Sequence, residues 1–198
     1  MMKIITTDKL KQSYRNTSKN TTTYKLLQNQ LATLKKMAHP HISPLYDLVI
    51  DPYSNVFLIS RYVPHITMQG MLEKGIKIVP DKARRYFQQL IFAIDYCHTY
   101  AGIVHRNICL QNIMINENDD VLLSDIGYAF LLEDEEGSAN MNGAIYYKAP
   151  ELMKEGYYRN EKTDIWAAGV SLYYMIEGTL PFLGASLEHL NFAVTNAK

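Results

Sequence analysis

Two polar segments flank a predicted β-hairpin near the middle of the chain, and their side chains are suited to binding a metal. Asn112 comes just before the hairpin and Asp125 just after it, while Ile113–Ile115 and Val121–Leu123 supply the two strands. Because both ends of one hairpin meet in space, we expect the Asn112 amide and the Asp125 carboxylate to lie side by side. Both offer hard oxygen ligands of the kind that Mg²⁺ takes together with a nucleotide phosphate.

Each of these short motifs is weak when taken alone. His105-Arg106-Asn107 precedes Asn112, and Asp125-Ile126-Gly127 follows the second strand. A single histidine in apolar surroundings is most often a core residue bonded to backbone, and a three-residue match occurs often by chance. The specificity therefore comes from the order and spacing of the motifs along the chain.

Apolar periodicity predicts the elements that must position these motifs. It indicates a helix from Leu27 that ends before Pro40, a strand over Val56–Ile59, a long helix over Ala83–Cys97 and a buried helix over Ile165–Ile176. Strands come early in the chain and helices late, which is typical of an α+β fold.

Composition excludes several classes of protein. The chain has 198 residues, 47% of them hydrophobic, with 20 basic and 20 acidic side chains, so no overall field favours a nucleic acid or an anionic membrane. The longest apolar run, Ile165–Ile176, is too short to span a bilayer. Cys97 and Cys109 have no metal-ligand spacing and are predicted to be buried thiols. Because Met1–Ile5 is followed at once by polar residues, we expect no secretory leader and a cytoplasmic, intracellular protein.

Five further motifs, in order, resemble those of a eukaryotic Ser/Thr protein kinase domain, with closest similarity to the calcium/calmodulin-dependent and AMP-activated branch. They are His39-Pro40-His41-Ile42, the predicted helix Ala83–His98, Ala149-Pro150-Glu151, Asp164–Gly169 and Gly178–Phe182. The resemblance covers nearly the whole chain. It implies a two-lobed α+β fold in one domain, 1–198, with a partial N-lobe and hinge over 1–63 and a partial C-lobe over 64–198. By the same comparison we expect the first strands of the N-lobe and the last helices of the C-lobe to be missing.

The catalytic segment departs from the family pattern at three positions. Asn107 stands where the family has the aspartate that orients and deprotonates the substrate hydroxyl, and Cys109 stands where it has a lysine near the transferring phosphate. Ala144 replaces the threonine that completes this group. An amide accepts a hydrogen bond but takes no proton. The resemblance therefore implies that this chain does not depend on the family's full catalytic activity.

The nucleotide-binding half is also incomplete by the family pattern. No glycine precedes Gly70, so residues 1–69 supply no glycine-rich flap over the phosphates. Lys3 resembles the lysine that pairs with the α- and β-phosphates, but no glutamate precedes Glu73 to pair with it. In the hinge, backbone groups of Arg61 and Val63 are expected to face adenine.

Three interpretations of function remain open. The first is a pseudokinase that acts by binding a protein partner, with weak or no binding of ATP and of Mg²⁺ at Asn112 and Asp125. The second is an active Ser/Thr kinase that uses Lys3 and the same metal pair. The third is a fragment, or a gene model with wrong boundaries, whose missing ends would restore the flap and the last helices but not Asn107 or Cys109. The sequence specifies neither the partner nor the oligomeric state.

Overall fold

Two small antiparallel sheets and the helices packed against them form the described part of the chain. The computed structural model describes residues 2–5, 32–50, 56–60, 65–126, 144–153 and 160–196. The strands are β1 Met2–Ile5, β2 Leu45–Ile50, β3 Val56–Ser60, β4 His65–Thr67, β5 Ile113–Asn116 and β6 Val121–Leu123. The helices are α1 at 32–36, α2 Met68–Glu73, α3 Pro80–Asp95, α4 Glu161–Glu177 and α5 Leu187–Thr195. Short helical turns cover Tyr96–Tyr100, Ala144–Tyr147 and Pro150–Met153.

The first sheet has the order β1-β3-β2, with both pairs antiparallel, and the second has the order β4-β5-β6. The strand expected at Val56–Ile59 is confirmed, although the side chains of Phe57 and Ile59 are only half-buried. A short segment links the two sheets, because Ser43 N donates to Leu123 O at 2.9 Å and Leu123 N donates to His41 O at 2.9 Å. The predicted domain bounds, 1–63 and 64–198, stay a prediction, since residues 61–64 lie outside the described ranges.

The long helix α3 supplies one wall of the core. Its first residue is a proline. Proline suits this position because the first N–H groups of a helix have no acceptor within the helix. Its apolar residues then recur at helical spacing and are buried against β6 and α4. The buried residues of this helix are Ala83, Tyr86, Leu90, Ala93 and Ile94. The predicted helix over Ala83–Cys97 is confirmed, with its last residues wound into a π-helical turn.

The predicted hairpin is confirmed, and its polar turn is tied to α3. Arg85 donates to Asp119 O at 2.8 Å and to the Asp120 carboxylate at 3.0 Å, and Gln89 donates to that carboxylate at 2.7 Å. The hydrogen bond from Gln89 and then that from Arg85 lower the pKa of Asp120. The hairpin therefore has a fixed position on the helix, and so do the segments that flank it.

The buried face of α4 differs from the predicted one. Ile165, Tyr173 and Ile176 are 50%, 46% and 48% exposed, so the prediction of a helix buried over its apolar residues is wrong at these positions. The helix instead buries small and polar side chains. The buried set is Thr163, Asp164, Ala167, Ala168, Val170, Ser171 and Met175. Among the described helices, none is long and apolar enough to cross a bilayer.

Candidate functional site

A single buried carboxylate holds the segment that carries Asn107. Asp164 lies in the first turn of α4 and is 1% exposed. Its two oxygens accept hydrogen bonds from His105 N at 2.7 Å and from Arg106 N at 2.8 Å. The imidazole of His98, in the π-helical turn that follows α3, bonds to the same carboxylate at 2.8 Å. Asp164 thus connects two helices and the loop that precedes Asn107.

The loop is strained where Asp164 holds it. Arg106 has a φ of 68°, in the left-handed region that side chains other than glycine rarely adopt. Such a conformation persists only where the surroundings fix it. The hydrogen bonds from His105 N and Arg106 N to one buried carboxylate supply that constraint.

His105 is a core histidine bonded to backbone, as expected from its apolar surroundings. Its side chain is fully buried, its Nδ1 accepts from Asn107 N at 3.2 Å, and its Nε2 lies 3.1 Å from Ser124 O. These partners define a neutral ring that carries its proton on Nε2. Burial lowers the pKa of His105, against the opposing effect of Asp164.

The two segments that flank the hairpin meet, as the hairpin prediction required. Asn112 Nδ2 donates to Asn107 O at 2.8 Å. The Asn112 carbonyl accepts from Ser124 N at 2.9 Å and from Ser124 Oγ at 3.1 Å. Asp125 follows directly and has a φ of 63°. The structure therefore brings Asn107, Asn112 and the start of the Asp125 segment into one network.

Cys109 lies in the hydrophobic core rather than on an open surface. Its side chain is 5% exposed, within the core cluster. The adjacent Leu110 N donates to the hydroxyl of Tyr147 at 3.4 Å, which places the turn Ala144–Tyr147 against this loop. Burial raises the pKa of Tyr147. Ala144 begins that turn, and nothing of its side chain is described.

The expected nucleotide-binding residues are described only in part. Lys3 lies in β1, where its backbone pairs opposite Leu58 of β3. Its side chain lies outside what the structure describes. Arg61 and Val63 also lie outside the described residues.

A cavity of about 30 Å³ adjoins Asn107, between its loop, the two 3-10 turns and α4. That volume holds about two water molecules. Tyr147, Lys148 and Thr163 are among the residues that line it.

Comparison with known proteins agrees with this arrangement. The model of the protein kinase domain family matches residues 2–197. The chain belongs to the protein kinase family. The kinase domain is 35% identical to CBL-interacting serine/threonine-protein kinase 5 of Arabidopsis thaliana over 83% of this chain and 37% of that protein. It is 33% identical to SNF1-like protein kinase ssp2 of Schizosaccharomyces pombe over 79% of this chain and 27% of that protein.

These relatives confirm the predicted α+β fold of a eukaryotic Ser/Thr protein kinase domain. The chain spans between 27% and 39% of the length of the curated relatives it matches. For this chain, the activities of those whole proteins are therefore proposals.

Sequence reasoning missed the role of two residues in this site. Asp164 was part of a family motif and His98 the end of a predicted helix, but neither was expected to hold the Asn107 loop. The available signal was an aspartate placed directly before a long apolar run. A carboxylate at such a position is buried only if it is hydrogen-bonded, which predicts backbone donors from another segment.

We expect Asp164→Asn to destabilise the kinase domain by about 3 kcal/mol. The amide keeps one acceptor oxygen, but its NH₂ group then opposes a backbone N–H of His105 or Arg106. Urea unfolding followed by circular dichroism measures the loss. Asp95→Asn makes the same change at an exposed position and should stay within about 0.5 kcal/mol of wild type. Equal effects of the two substitutions would contradict the assigned role of Asp164.

Stability should fall as the pH drops below the ordinary histidine pKa of 6.5. The folded pKa of His105 is lowered, so the unfolded chain takes up a proton that the folded chain refuses. Its contribution is complete above pH 6.5 and is lost below it, with a slope of up to about 1.4 kcal/mol per pH unit. His105→Gln should make the slope shallower, and His189→Gln, at an exposed histidine, should not. A slope unchanged by His105→Gln would refute this account.

Proposed function

We propose that this kinase domain is catalytically impaired and acts by binding a protein, with weak or no binding of ATP and Mg²⁺. Asn107 is the observation that carries the proposal. In the family this position holds the aspartate that orients the substrate hydroxyl and accepts its proton. An amide oxygen orients a hydroxyl but takes no proton, and the loss of a general base slows transfer about 10²–10⁴-fold. That corresponds to about 3–5 kcal/mol of barrier.

The surroundings of Asn107 support the same proposal. The residue is 9% exposed, its N–H is bonded to His105 and its carbonyl to Asn112. These bonds fix the backbone at this position on both sides. A small cavity with room for water adjoins the residue.

With Cys109 in place of the family's lysine, a second catalytic group is absent at this position. A lysine at this position would extend a positive charge toward the transferring phosphate. The thiol is instead packed among core residues such as Ile108 and Leu110. A buried thiol supplies no fixed positive charge, so phosphate binding loses one of its main electrostatic partners.

The metal positions are retained and fit Mg²⁺. The Asn112 amide nitrogen is committed to Asn107 O, which leaves Oδ1 as the ligand atom of this side chain. Together with the Asp125 carboxylate it would offer Mg²⁺ two hard oxygen donors, the type that this ion prefers. When bound, Mg²⁺ would neutralise charge on nucleotide phosphates. Lys3 is the candidate phosphate partner, and Arg61 and Val63 remain the candidate hinge residues.

A second candidate function is an active Ser/Thr kinase that transfers phosphate from ATP to protein hydroxyls. The retained pair of Asn112 and Asp125 favours it, as do relatives that are named protein kinases. In this candidate a water molecule in the small cavity beside Asn107 would carry the proton away.

The binding half of the proposal is supported by apolar surface. Ile165 and Ile176 of α4 and Leu187 and Phe192 of α5 are each about half exposed or more. Exposed apolar residues that form a contiguous patch mark surfaces that bind other proteins. Cys97 and Cys109 are buried and neither forms a disulfide with a residue that the structure describes, which supports placing the protein in a reducing compartment such as the cytoplasm.

Phosphate transfer provides the direct test of the impaired active site. We expect wild-type protein to transfer radiolabelled phosphate from ATP to a Ser/Thr peptide no faster than Asp125→Asn does. Asn107→Asp returns the base and should raise transfer about 10²-fold above that background. Asn118→Asp, the same change in the exposed hairpin turn, should not. Wild-type transfer tenfold or more above that of Asp125→Asn would favour the active kinase.

Nucleotide binding is tested separately by thermal unfolding with ATP, with and without Mg²⁺. We expect stabilisation of no more than about 0.4 kcal/mol, the effect of a ligand at its dissociation constant. Asp125→Asn should remove any part that depends on Mg²⁺. Stabilisation of about 2.7 kcal/mol, the effect of a ligand at 100 times its dissociation constant, would contradict weak binding.

A further inference from the structure

A second cavity lies outside the Asn107 network, on the opposite side of the π-helical turn. Its volume is about 460 Å³, within the range of sites that bind small ligands or side chains. The segment His39–His41 forms one wall, and the end of α3 with the turn Tyr96–Tyr100 forms the other. The cavity is lined in part by the motif His39–Ile42 and the end of the long helix, but by none of the proposed catalytic or metal-binding positions.

The walls of the cavity are largely aromatic. The rings of Tyr96 and Tyr100 stack with centroids 5.0 Å apart, and the ring of His39 lies 5.1 Å from that of Tyr96. The Tyr96 hydroxyl accepts a hydrogen bond from Ala38 N at 3.1 Å, which fixes that ring. Phe92 and Tyr100 are 60% and 80% exposed, so their rings are open to a ligand. Ordered ring faces of this kind attract cations.

The polar groups of the cavity are mainly acceptors. Asp95 is an exposed carboxylate whose Oδ1 accepts from Thr99 at 3.0 Å, and it forms no salt bridge with any residue that the structure describes. His41 Nδ1 lies 3.1 Å from Val121 O and therefore donates, which leaves Nε2 as an acceptor in the neutral ring. His39 Nδ1 accepts from His41 N at 3.1 Å, so that nitrogen carries no proton.

These features select the charge of the ligand. The lining residues include one carboxylate and no lysine or arginine. Burial, and then repulsion from His41 when that ring is protonated, lowers the pKa of His39, which disfavours a positive charge on this ring. A metal ion is not the ligand that fits, because in the described ranges no group of three His, Cys, Asp or Glu side chains is placed to hold one.

We propose that this cavity binds an arginine side chain of a protein partner, with the guanidinium against Tyr100 and Phe92 and its N–H groups toward Asp95. A planar guanidinium stacks on aromatic faces and is more weakly hydrated than a lysine ammonium, so it fits an open aromatic wall better. The inference rests on the proposed function in one respect, because it states which kind of side chain a bound protein partner would present. Its chemistry is independent of phosphate transfer.

The test measures binding of three capped amino acids to the full chain by saturation-transfer NMR. The probes are Nα-acetyl-arginine methylamide, the lysine analogue and the citrulline analogue, which has nearly the shape of arginine without its charge. We expect arginine to bind most tightly, lysine more weakly and citrulline least. Asp95→Asn and Tyr100→Leu should each weaken arginine binding about three- to tenfold.

Matched controls keep the result specific to the cavity. Asp81→Asn removes an exposed carboxylate at the other end of α3, and Tyr46→Leu removes an exposed ring on β2. Neither should change arginine binding. Equal binding of citrulline and arginine would overturn the proposal, as would wild-type binding by Asp95→Asn. Because Asp95 is exposed, that variant remains informative if Tyr100→Leu unfolds. Failure here leaves the phosphate-transfer result unaffected, so the two proposals fail separately.

Discussion

The carboxylate of Asp164 is the constraint on which the catalytic region depends. A buried charge is tolerated only when its oxygens are fully hydrogen-bonded, and here the donors are the His98 ring and two consecutive backbone N–H groups. Its place in the first turn of α4 adds the favourable field of a helix N-terminus. In return, the carboxylate holds Arg106 in a left-handed conformation that the loop would not adopt unaided. The positions of the following residues are consequences of this arrangement.

That dependence explains how a kinase fold persists without the family's catalytic side chains. Asn107 contributes to the network through its backbone, since its N–H bonds to His105 and its carbonyl to Asn112. The side chain at this position is therefore free to change from carboxylate to amide without loss of a fold-determining bond. At Cys109 the change is of another kind. The thiol packs within the core, whereas a lysine at this position would have to extend its charged end to solvent. The scaffold and the chemistry are thus separable at these two positions.

Local patterns in the sequence were sufficient for the hairpin, the long helix α3 and the strand at Val56–Ser60, because each has one clear period and a clear boundary. They failed for the buried face of α4. There the run Ile165–Ile176 is apolar on every side, so periodicity does not choose a face. The choice is made by polar residues that find partners inside the helix, as Ser171 Oγ does with Ala167 O at 2.8 Å. Asp164 was missed for a different reason, because its three donors lie 58 to 66 residues away in the chain.

The side chains of the π-helical turn Tyr96–Tyr100 face two different parts of the structure. Cys97 and His98 face inward, where burial raises the pKa of the Cys97 thiol to about 12 and His98 bonds to Asp164. Tyr96 and Tyr100 face the aromatic cavity. A ligand in that cavity changes the Asn107 loop only if it favours a different geometry of the turn. Because Asp164 fixes the inner face and Ala38 N fixes the Tyr96 ring on the outer face, the turn is constrained on both sides. A ligand that leaves these two hydrogen bonds in place would therefore leave the geometry of the turn unchanged.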